Sequence, residues 1–410
     1  MVNSMVLTSE QLQQRLFVLH LALIEGVGPA VSSHIIKHKP DSYLWDDLYS
    51  FTNADWLMMG LSPKSASLVV DGLAATYLLE KELTYIQLNG IDWVTVYDDS
   101  YPVLLKHINQ PPSVLYFKGA APATHAKNVA IVGSRAADAY AKRVIESFVP
   151  SLVAHGWSII SGGALGADSM AHQATLQAGG KTVAVLGSGL LRPYPMSNRA
   201  LFEQIVASGG TLISSFPLTV EPMPGNFPAR NRIIAGLSSG CIVAQAAYKS
   251  GASITAQYAL DQGRTVFAVP GMIDNPLSVG CHALLQQGAA VAANVQDILT
   301  ELGDISVAPV MQQQEIVFKK QPESVSEAKA ASTTELTQKA PVPALRYPSD
   351  SIESRILNLC TKPCSTDEVA QQCAIACADA QHLLFDLQLD GLIQQNFAGQ
   401  WMVCSIFTRN

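Results

Sequence analysis

The sequence predicts an α/β fold whose core is a parallel sheet covered by helices on both faces. Between residues 128 and 300, six short apolar segments alternate with stretches of helical pattern. Continuous apolar strands that alternate with helices are typical of a parallel sheet buried on both faces. Loops rich in Gly and Ser follow several of these segments, and ligands of such sheets bind at the carboxyl ends of the strands. The same region therefore supplies the predicted core and the predicted site.

The apolar runs place the individual elements. The predicted strands are 129–132, 158–160, 182–186, 211–214, 241–244 and 265–269. The predicted helices between and after them are 138–154, 167–178, 198–208, 229–237, 252–262 and 279–286. Two further strands, 93–97 and 114–117, lie in a bridging segment that precedes the repeat.

Composition and charge narrow the class of protein. The chain has 410 residues, which suggests two to four domains, and 48% of them are hydrophobic against 14% charged, as in a folded protein. The net charge of −7 argues against a generally basic nucleic-acid binder. Residues 121–300, however, hold 11 Lys and Arg against 8 Asp and Glu, whereas residues 1–120 hold 7 against 12. We therefore expect a polyanionic ligand on the middle segment.

The sequence favours a cytoplasmic protein without a membrane span. No uninterrupted apolar run is long enough to cross a bilayer, and the first residues lack the layout of a signal peptide. Seven cysteines, an odd number, indicate reduced thiols. Cys360 and Cys364, then Cys373 and Cys377, form two C-x-x-x-C pairs with Cys404 beyond. Zinc ribbons favour C-x-x-C spacing, so we expect core cysteines and no metal.

Residues 1–90 are predicted to form a helical domain. A shift of 34 residues aligns 23–29 with 57–63, and each segment precedes a helix rich in small residues. This resembles a doubled helix-hairpin-helix (SAM-like) module, whose tight glycine turn can offer amides to a DNA phosphate. The second copy has Ser62 where the first has Gly28. Because the segment is acidic, we favour a structural or protein-contact role and leave contact with DNA open.

The α/β domain is predicted to span residues 91–305, followed by a disordered linker and a small C-terminal domain. Residues 306–349 are polar, rich in Pro, Ala and Gln, and poor in aromatics, as in a linker. Residues 350–410 contain three helical stretches and a short hairpin, which resemble a winged-helix domain. Its third helix carries acidic residues and no Lys or Arg, so protein contact is favoured over DNA reading.

Two arginines stand out as candidate ligands of phosphate. Arg135 follows the strand 129–132 directly, with Gly133 permitting close approach of a ligand. Arg230 lies at the start of a helix-patterned run. Guanidinium groups, loop amides and helix N-termini together suit a ligand that carries phosphate. An ion pair with a neighbouring acid is the alternative for Arg135, and Asn231 and Arg232 are the favoured scaffold residues.

Three other patterns carry less weight. Gly180-Lys181-Thr182 lacks the glycine of a P-loop six positions before the lysine, and it precedes a strand, so we reject a P-loop. Gly187-Ser188-Gly189 is too short for a dinucleotide fingerprint. Asp168 and His172 lie four apart, as an acid–base pair could. We favour a structural interpretation in which Asp168 orients the glycine-rich turn and His172 packs beneath it.

Taken together, the motifs resemble those of the DNA-processing protein A family (DprA, also called Smf), in the family's order. They are Val132 through Arg135, Ile160 through Asp168, Tyr194 through Asn198, Phe227 through Leu237, Ser250 through Ala256 and Val266 through Gly271. The resemblance implies a Rossmann-like core with a helical N-terminal module and a C-terminal winged helix. It also implies a DNA-binding role in natural transformation and competence, without enzymatic activity, cofactor or catalytic residues.

Partners and site residues follow from the same resemblance. Family members bind incoming single-stranded DNA, load the RecA recombinase onto it for DNA recombination, and displace single-strand binding protein, a further candidate partner. They form a dimer through the Rossmann-like domain, here near residues 280–300. The implied DNA-binding residues are Gly133, Ser134, Arg135, Ser161, Gly162, Phe227, Arg230, Ser250 and Gly251. Arg192 or Arg199 would replace a lysine that some relatives carry where this chain has Met196.

Two other functions remain open at this stage. One is a nucleotide-processing enzyme of the phosphoribohydrolase type, whose P-G-G-x-G-T motif is absent because Pro270-Gly271 leads into Met272. The other is an adaptor whose acidic end domains recruit proteins. Both would place the ligand or partner differently from a single-stranded DNA site.

Overall fold

The structure is a computed structural model, and it describes residues 8–122, 127–303, 351–389, 392–395 and 400–403. It divides into two compact units, Met1–Met311 and Gln312–Asn410. None of the helices in these described ranges combines the length and apolar character that a membrane crossing requires. The predicted linker 306–349 lies outside the described residues. So do Cys404 and Asp390, the last acidic residue near the end of the third predicted helix of the C-terminal domain.

The first unit begins with five helices around their own apolar core. They are α1 (Ser9–Leu23), α2 (Pro29–His38), α3 (Asn53–Met58), α4 (Pro63–Ala74) and α5 (Thr76–Asn89). Their core contains Phe17, Ile35 and Trp56, each fully buried. The two predicted hairpins end alike, since α2 and α4 both begin with proline, where the missing N–H costs nothing. Ser62 replaces Gly28 because its hydroxyl caps α4 by accepting from the Ser65 N–H.

One sheet of nine strands, counted over the described residues, forms the centre of the first unit. The strands are β1 (Asp92–Thr95), β2 (Val114–Gly119), β3 (Asn128–Gly133), β4 (Ser158–Ser161), β5 (Thr182–Val185), β6 (Thr211–Ser214), β7 (Gly240–Gln245), β8 (Thr265–Ala268) and β9 (Ala290–Val291). Their order is β1-β2-β6-β5-β4-β3-β7-β8-β9. From β6 to β9 all neighbours are parallel, as the sequence predicted, whereas β2 pairs antiparallel with both β1 and β6.

Helices cover both faces of this sheet. Those of the α/β region are α6 (Val103–Lys106), α7 (Ala139–Ala154), α8 (Ala167–Gln177), α9 (Arg199–Ala207), α10 (Asn226–Gly236), α11 (Gly251–Asp261), α12 (Val279–Gln286) and α13 (Val295–Glu301). Val183 and Val185 of β5 enter the core shared with α10, α11 and α12, whereas Ala184 enters a core on the opposite side. This alternation is what a strand buried on both faces requires.

The strand order reverses direction between β3 and β7. Successive strands from β3 to β6 add to one side of β3, and those from β7 to β9 add to the other. At such a switch point the loops after the two central strands diverge and leave a crevice at their carboxyl ends. Gly133 and Gln245 end β3 and β7, so this crevice lies beside the loop that carries Arg135.

A buried carboxylate joins the N-terminal helices to a loop of the α/β region. Glu82 of α5 is 5% exposed and accepts the Leu218 N–H at 2.8 Å. Leu218 in turn accepts from the Leu191 N–H through its carbonyl, which ties together the segments that follow β5 and β6. The boundary at residue 90 therefore stays a prediction from sequence, because the two regions share contacts within one compact unit.

The second unit has the elements predicted for it. They are α14 (Ile352–Leu359), α15 (Thr366–Cys373), α16 (Cys377–Leu389), β10 (Ile393–Gln395) and β11 (Trp401–Val403), with the two strands antiparallel. Cys360 and Cys373 lie in its core, as expected, but Cys364 is half-buried and Cys377 is exposed. No group of three or more metal-binding side chains occurs in the described ranges. The winged-helix assignment stays a prediction.

Replacing Glu82 should reveal how much the buried bond to Leu218 contributes. We expect Glu82→Ala to lower the free energy of unfolding by about 1–3 kcal/mol, because a buried N–H loses its acceptor. Burial raises the pKa of Glu82, which the Leu218 N–H only partly offsets. The native protein therefore binds this proton more tightly, and the stability that Glu82 contributes falls as the pH rises through its folded pKa.

Denaturant unfolding measured across the acidic to neutral range checks this. Glu82→Gln, which cannot ionise, should remove this part of the pH dependence. Glu80→Ala is the matched control, since Glu80 is an exposed glutamate on the same helix and its loss should change stability by less than about 0.5 kcal/mol. Equal effects of Glu82→Ala and Glu80→Ala would contradict the assignment.

Candidate functional site

A groove of about 720 Å³ opens at the switch point of the sheet. It lies among the loops that follow β3, β4 and β7, the segment 222–224 and the first turns of α10 and α11. Its lining includes Gly133, Ser134, Arg135, Ala164, Asp168, Tyr194, Pro222, Pro224, Phe227, Arg230, Asn231, Ser250, Gly251 and Ile254. Arg135 and Arg230, predicted from sequence to share one cleft, therefore do so.

Backbone bonds fix the loop that presents Arg135. The Ser134 N–H donates to the Gln245 carbonyl at 2.7 Å, and the Ala167 N–H donates to the Ser134 carbonyl at 3.1 Å. A Cβ on Gly133 would lie 2.7 Å from the Ala167 Cβ, closer than real Cβ atoms approach. The glycine therefore lets the end of β3 pass between β7 and α8, so the close approach at this position is that of Ala167 and Gln245, whereas the sequence analysis expected that of a ligand.

Gly166, which the sequence analysis did not single out, supports the same loop from below. Its φ of 74° lies in the left-handed region, and a Cβ would meet the Ser134 carbonyl oxygen at 2.3 Å and the Arg135 carbonyl oxygen at 2.5 Å. Any side chain here would displace the backbone of residues 134 and 135. The signal was present in the Ser161–Gly166 loop, but sequence alone does not show which glycine takes the positive φ.

Arg135 is exposed at the rim of the groove. Its guanidinium carbon lies 5.3 Å from the centre of the Phe227 ring, a cation–π contact. In the part of the chain that the structure describes, no carboxylate forms an ion pair with it. The alternative of a structural ion pair is therefore not found, and the charge faces the groove.

Two aromatic rings form one wall of the groove. The centres of Tyr194 and Phe227 lie 5.7 Å apart, at an interplanar angle of 58°. Phe227 is half-buried and Tyr194 is 44% exposed. Helix α10 starts at Asn226, three residues earlier than predicted, so Phe227 belongs to its first turn. A Cβ on Gly187 would lie 2.8 Å from the Phe227 ring, so this glycine makes room for the wall.

Ser250 and Gly251 contribute a helix N-terminus. The Ser250 hydroxyl caps α11 by accepting the Ser253 N–H, and Gly251 is exposed as the first helical residue. Asn231 donates to the Gly251 carbonyl at 3.3 Å, which holds this turn against α10. The amides of the first turn point out of the helix with partial positive charge, which favours an anion in the groove.

Arg230 lies beneath the groove rather than at its surface, which corrects the expectation that its side chain grips a ligand. It is 4% exposed, and its Nη1 donates to the carbonyls of Gly162 and Val185 at the ends of β4 and β5. Burial lowers the pKa of Arg230 to about 10, against the opposing effect of Asp168. The side chain therefore stays charged and ties two strand ends to α10.

Ser161 and Gly162 also face inward, contrary to the prediction from sequence. The Ser161 hydroxyl is fully buried and donates to the Ile131 carbonyl at 2.7 Å, while the Gly162 carbonyl accepts from Arg230. Asp168 accepts the Ala164 N–H at 3.2 Å and thereby orients the loop after β4, as expected. Burial raises the pKa of Asp168, and the charge of Arg230 opposes that rise.

His172 packs beneath the same loop, as predicted. The Thr182 hydroxyl donates to the Ile159 carbonyl, so it accepts from His172, whose Nδ1 must carry the hydrogen. Burial, with a smaller effect of Arg230, lowers the pKa of His172 to about 3. The imidazole is therefore neutral at physiological pH, and Asp168 and His172 do not form an exposed acid–base pair.

Arg192 and Arg199 lie in a neighbouring groove of about 730 Å³, which shares Tyr194 and Pro222 with the first. Arg192 pairs with Glu221 at 2.9 Å, and Arg199 pairs with Glu203 at 3.1 Å. Both arginines are exposed, so these pairs contribute little stability. Both line this second groove together with Met196, the position at which some relatives carry the lysine that the sequence analysis expected them to replace.

The hydrogen bonds of Asn231 and Arg232 on α10 fit the scaffold roles that the sequence predicted for them. Arg232 donates to the Gln110 carbonyl at 2.6 Å, outside the groove, and Asn231 braces the Gly251 turn. The groove itself therefore combines one exposed guanidinium, a buried positive charge below, a helix N-terminus and an aromatic wall. Phosphate groups and an unsaturated ring match these features in one ligand.

Comparisons with known proteins cover the region that forms this site. The family model of the DNA recombination-mediator protein A matches residues 92–303, from β1 past the end of α13. Protein Smf of Escherichia coli is 41% identical over 224 residues, which cover 55% of this chain and 60% of that protein. The chain thus aligns with less than two thirds of the Escherichia coli relative.

Two further matches reach farther along the relatives. Protein Smf of Synechocystis is 36% identical over 316 residues, which cover 75% of this chain and 79% of that protein. The X-ray structure of DNA processing protein A from Streptococcus pneumoniae superposes with a TM-score of 0.61 at 33% identity, covering 70% of this chain and 97% of that one. Both cover a larger share of this chain than the match to the Escherichia coli protein does.

Asp168 offers a test of the buried charges beneath the groove. We expect Asp168→Asn to lower the free energy of unfolding by about 3 kcal/mol, because Arg230 then remains buried without its opposing charge. Urea unfolding, followed by tryptophan fluorescence, measures the change.

The matched control is Glu146→Gln. Glu146 pairs with Lys142 at 3.7 Å on the surface of α7, and such a pair is worth less than about 0.5 kcal/mol. A cost for Asp168→Asn no larger than that of Glu146→Gln would show that the two buried charges do not depend on one another.

Proposed function

The chain belongs to the DNA recombination-mediator protein A family, and we propose that it binds single-stranded DNA in the groove at the switch point of its sheet. The observation that carries this proposal is the pairing of exposed Arg135 with half-buried Phe227 at one rim, 5.3 Å apart. A nucleotide strand offers a phosphate and a base at neighbouring positions. The two side chains provide one partner for each.

An unpaired strand fits these partners better than a duplex. Bases can stack on Phe227 and Tyr194 only when they are splayed out of a helix, as in single strands. Few groups in the groove are free to read base edges, since the Asn231 amide donates to Gly251 and the Ser250 hydroxyl caps α11. We therefore propose binding without strong sequence preference.

Phosphate contacts come from two sources in this proposal. Arg135 contacts one phosphate directly, and the first-turn amides around Gly251 contact a second. Gly133 and Ser134 set the height of the Arg135 loop. Arg230 acts from below through its charge and through the shape that it imposes on the turn after Ser161 and Gly162. Its role is thus positioning, with direct contact left to the rim.

Arg192 and Arg199 would extend the path of the strand past Tyr194. Because the two grooves share Tyr194 and Pro222, a strand leaving the first groove would enter the second. Each arginine is paired with a glutamate, so a phosphate there must displace a carboxylate. We therefore assign them a weaker contribution than Arg135.

We also propose that the bound strand is passed to a RecA recombinase, in competition with single-strand binding protein, as a cytoplasmic step of natural transformation. Exposed apolar side chains near the predicted dimer region support a protein contact: Met272, Ile273, Val279 and Val291 are 39–93% exposed. We place the homodimer contact at these exposed apolar side chains.

Catalysis forms no part of the proposal, because Asp168 and His172 are buried and bonded to the scaffold.

Arg135→Ala should weaken binding to a dT oligomer measured by fluorescence anisotropy. A lost charge-assisted contact of about 1.5–3 kcal/mol corresponds to a loss of about 10-fold to 150-fold in affinity. The slope of log affinity against log salt should also fall by about 0.7, the value for one phosphate on a single strand.

Arg143→Ala is the matched control, because Arg143 is an exposed arginine of α7 that does not line the groove. It should change the affinity much less than Arg135→Ala. If Arg135→Ala bound the oligomer as tightly as the wild type at low salt, the site would be misplaced.

Phe227→Leu separates stacking from charge. We expect the free energy of binding to weaken by about 1–3 kcal/mol, which is the contribution of one stacked base. The slope of log affinity against log salt should stay that of the wild type. An oligomer of abasic sites should lose at least this increment of binding free energy with the wild-type protein, because stacking on Tyr194 is lost as well, and it should show no further loss with Phe227→Leu.

Tyr77→Leu is the control for this test, since Tyr77 is a 64% exposed aromatic residue on α5, outside the groove. A fall in the salt slope with Phe227→Leu would mean that the ring acts by holding Arg135 in place instead of by stacking.

A further inference from the structure

A pair of cysteines in the second unit has the geometry of an oxidation site. The Sγ atoms of Cys360 and Cys364 lie 3.5 Å apart. Cys360 is fully buried, whereas Cys364 is half-buried and lines a depression of about 370 Å³. One sulfur of the pair is therefore open to a small molecule, and the other stands directly behind it.

The backbone holds both cysteines in place against β11. Cys364 and Trp401 exchange two hydrogen bonds, from the Cys364 N–H at 3.1 Å and from the Trp401 N–H at 2.7 Å. The Val403 N–H donates to the Cys360 carbonyl at 2.8 Å. The sulfurs are thus kept together by a pairing of main chains, and their proximity does not depend on the thiols themselves.

The neighbouring cysteines provide an internal comparison. Cys377 is exposed, and its thiol donates to the Asp367 carboxylate at 2.9 Å rather than to another sulfur. Cys373 is buried in the same core as Cys360. Exposure alone would favour oxidation of Cys377, whereas a sulfur partner in contact favours Cys364.

We propose that Cys360 and Cys364 are a peroxide-oxidised dithiol that closes to a disulfide. The thiolate of Cys364 attacks one peroxide oxygen, the O–O bond breaks, and the sulfenic acid forms with release of water. The first water carries the proton lost by the Cys364 thiol. The Cys360 sulfur then attacks the Cys364 sulfur, the S–O bond breaks, and the leaving hydroxide departs as a second water with the proton of the Cys360 thiol. One peroxide is reduced by two electrons, and the two thiols are oxidised by two.

The sulfurs must approach from 3.5 Å to the about 2.05 Å of a disulfide, within a turn whose ends are already fixed. The crosslink would join the end of α14 to the turn that pairs with β11. Thiol reagents would reopen it, since thiol–disulfide exchange proceeds by attack on either sulfur.

The surroundings make the reaction slow at neutral pH. Burial raises the pKa of Cys364, and the carboxylate of Glu368 adds to the rise. Glu368 and Lys362 line the depression together with Cys364, and Cys373 lies on the core side. Because the thiolate is the attacking form, oxidation should accelerate as the pH rises.

Mass mapping of the full-length protein tests the proposal. After hydrogen peroxide treatment, free thiols are alkylated and the protein is cut with trypsin and a glutamate-specific protease. Trypsin does not cut the Lys362–Pro363 bond, so residues 356–368 are released as one fragment whose two cysteines are Cys360 and Cys364. We expect this fragment to carry no alkylation label and to be lighter by two hydrogens than the reduced fragment. Dithiothreitol should restore the reduced mass. The oxidised fragment should form faster at a pH of about 8.5 than at a pH of about 6.5.

Two variants complete the experiment. Cys377→Ser should leave the oxidised fragment unchanged, and Cys364→Ser should leave Cys360 free to alkylate. The proposal fails if both cysteines of the wild-type fragment carry label after oxidation, or if the fragment is linked instead to Cys373, Cys377 or Cys404. Because the wild-type protein gives the decisive reading, poor folding of a variant does not affect the conclusion.

Discussion

The site depends on one buried positive charge, the guanidinium of Arg230. A charge removed from water is stable only when hydrogen bonds and an opposite charge surround it. Here the carbonyls of Gly162 and Val185 accept from Arg230, and Asp168 supplies the opposing charge. These partners come from the ends of β4 and β5 and from α8, so a single side chain of α10 fixes three elements at the carboxyl edge of the sheet.

The buried Arg230 and its partners also position the rim of the groove. Asp168 also holds the loop after β4, which ends at Gly166, and Gly166 lies under the backbone of residues 134 and 135. The position of Arg135 is therefore set by backbone contacts below it, while its own side chain stays exposed. Of the two arginines in this groove, one is therefore buried and fixes the surrounding elements, and the other is exposed at the rim.

The exposed arginines of the neighbouring groove differ from Arg135 in having carboxylate partners. Arg192 and Arg199 are exposed but paired with glutamates, so their charge is partly cancelled before any ligand arrives. Arg135 has no such partner in the described part of the chain, and its guanidinium lies over the ring of Phe227. A chain with a net charge of −7 can in this way concentrate attraction for a polyanion at one small place.

Local features of this fold follow from the order of the residues alone. Six of the seven parallel strands in the described residues lie within one residue of their predicted bounds, because continuous apolar runs between helical patterns have few other solutions, whereas β9 was not predicted. The sequence also placed Arg135 at the end of a buried strand, and it favoured structural roles for Asp168, His172 and the core cysteines. Each of these follows from residues that are neighbours in the chain.

Contacts between distant segments set which side chains face the groove. The first turn of a helix can point an arginine outward or inward, and Arg230 turns inward because carbonyls 45 and 68 residues away accept from it. Ser161 is buried for the same reason, and so is Glu82, which bonds to a loop 136 residues distant. The antiparallel pairing of β2 with β6 is likewise a contact between distant segments. Such bonds depend on the packing of the whole sheet, and no local pattern records them.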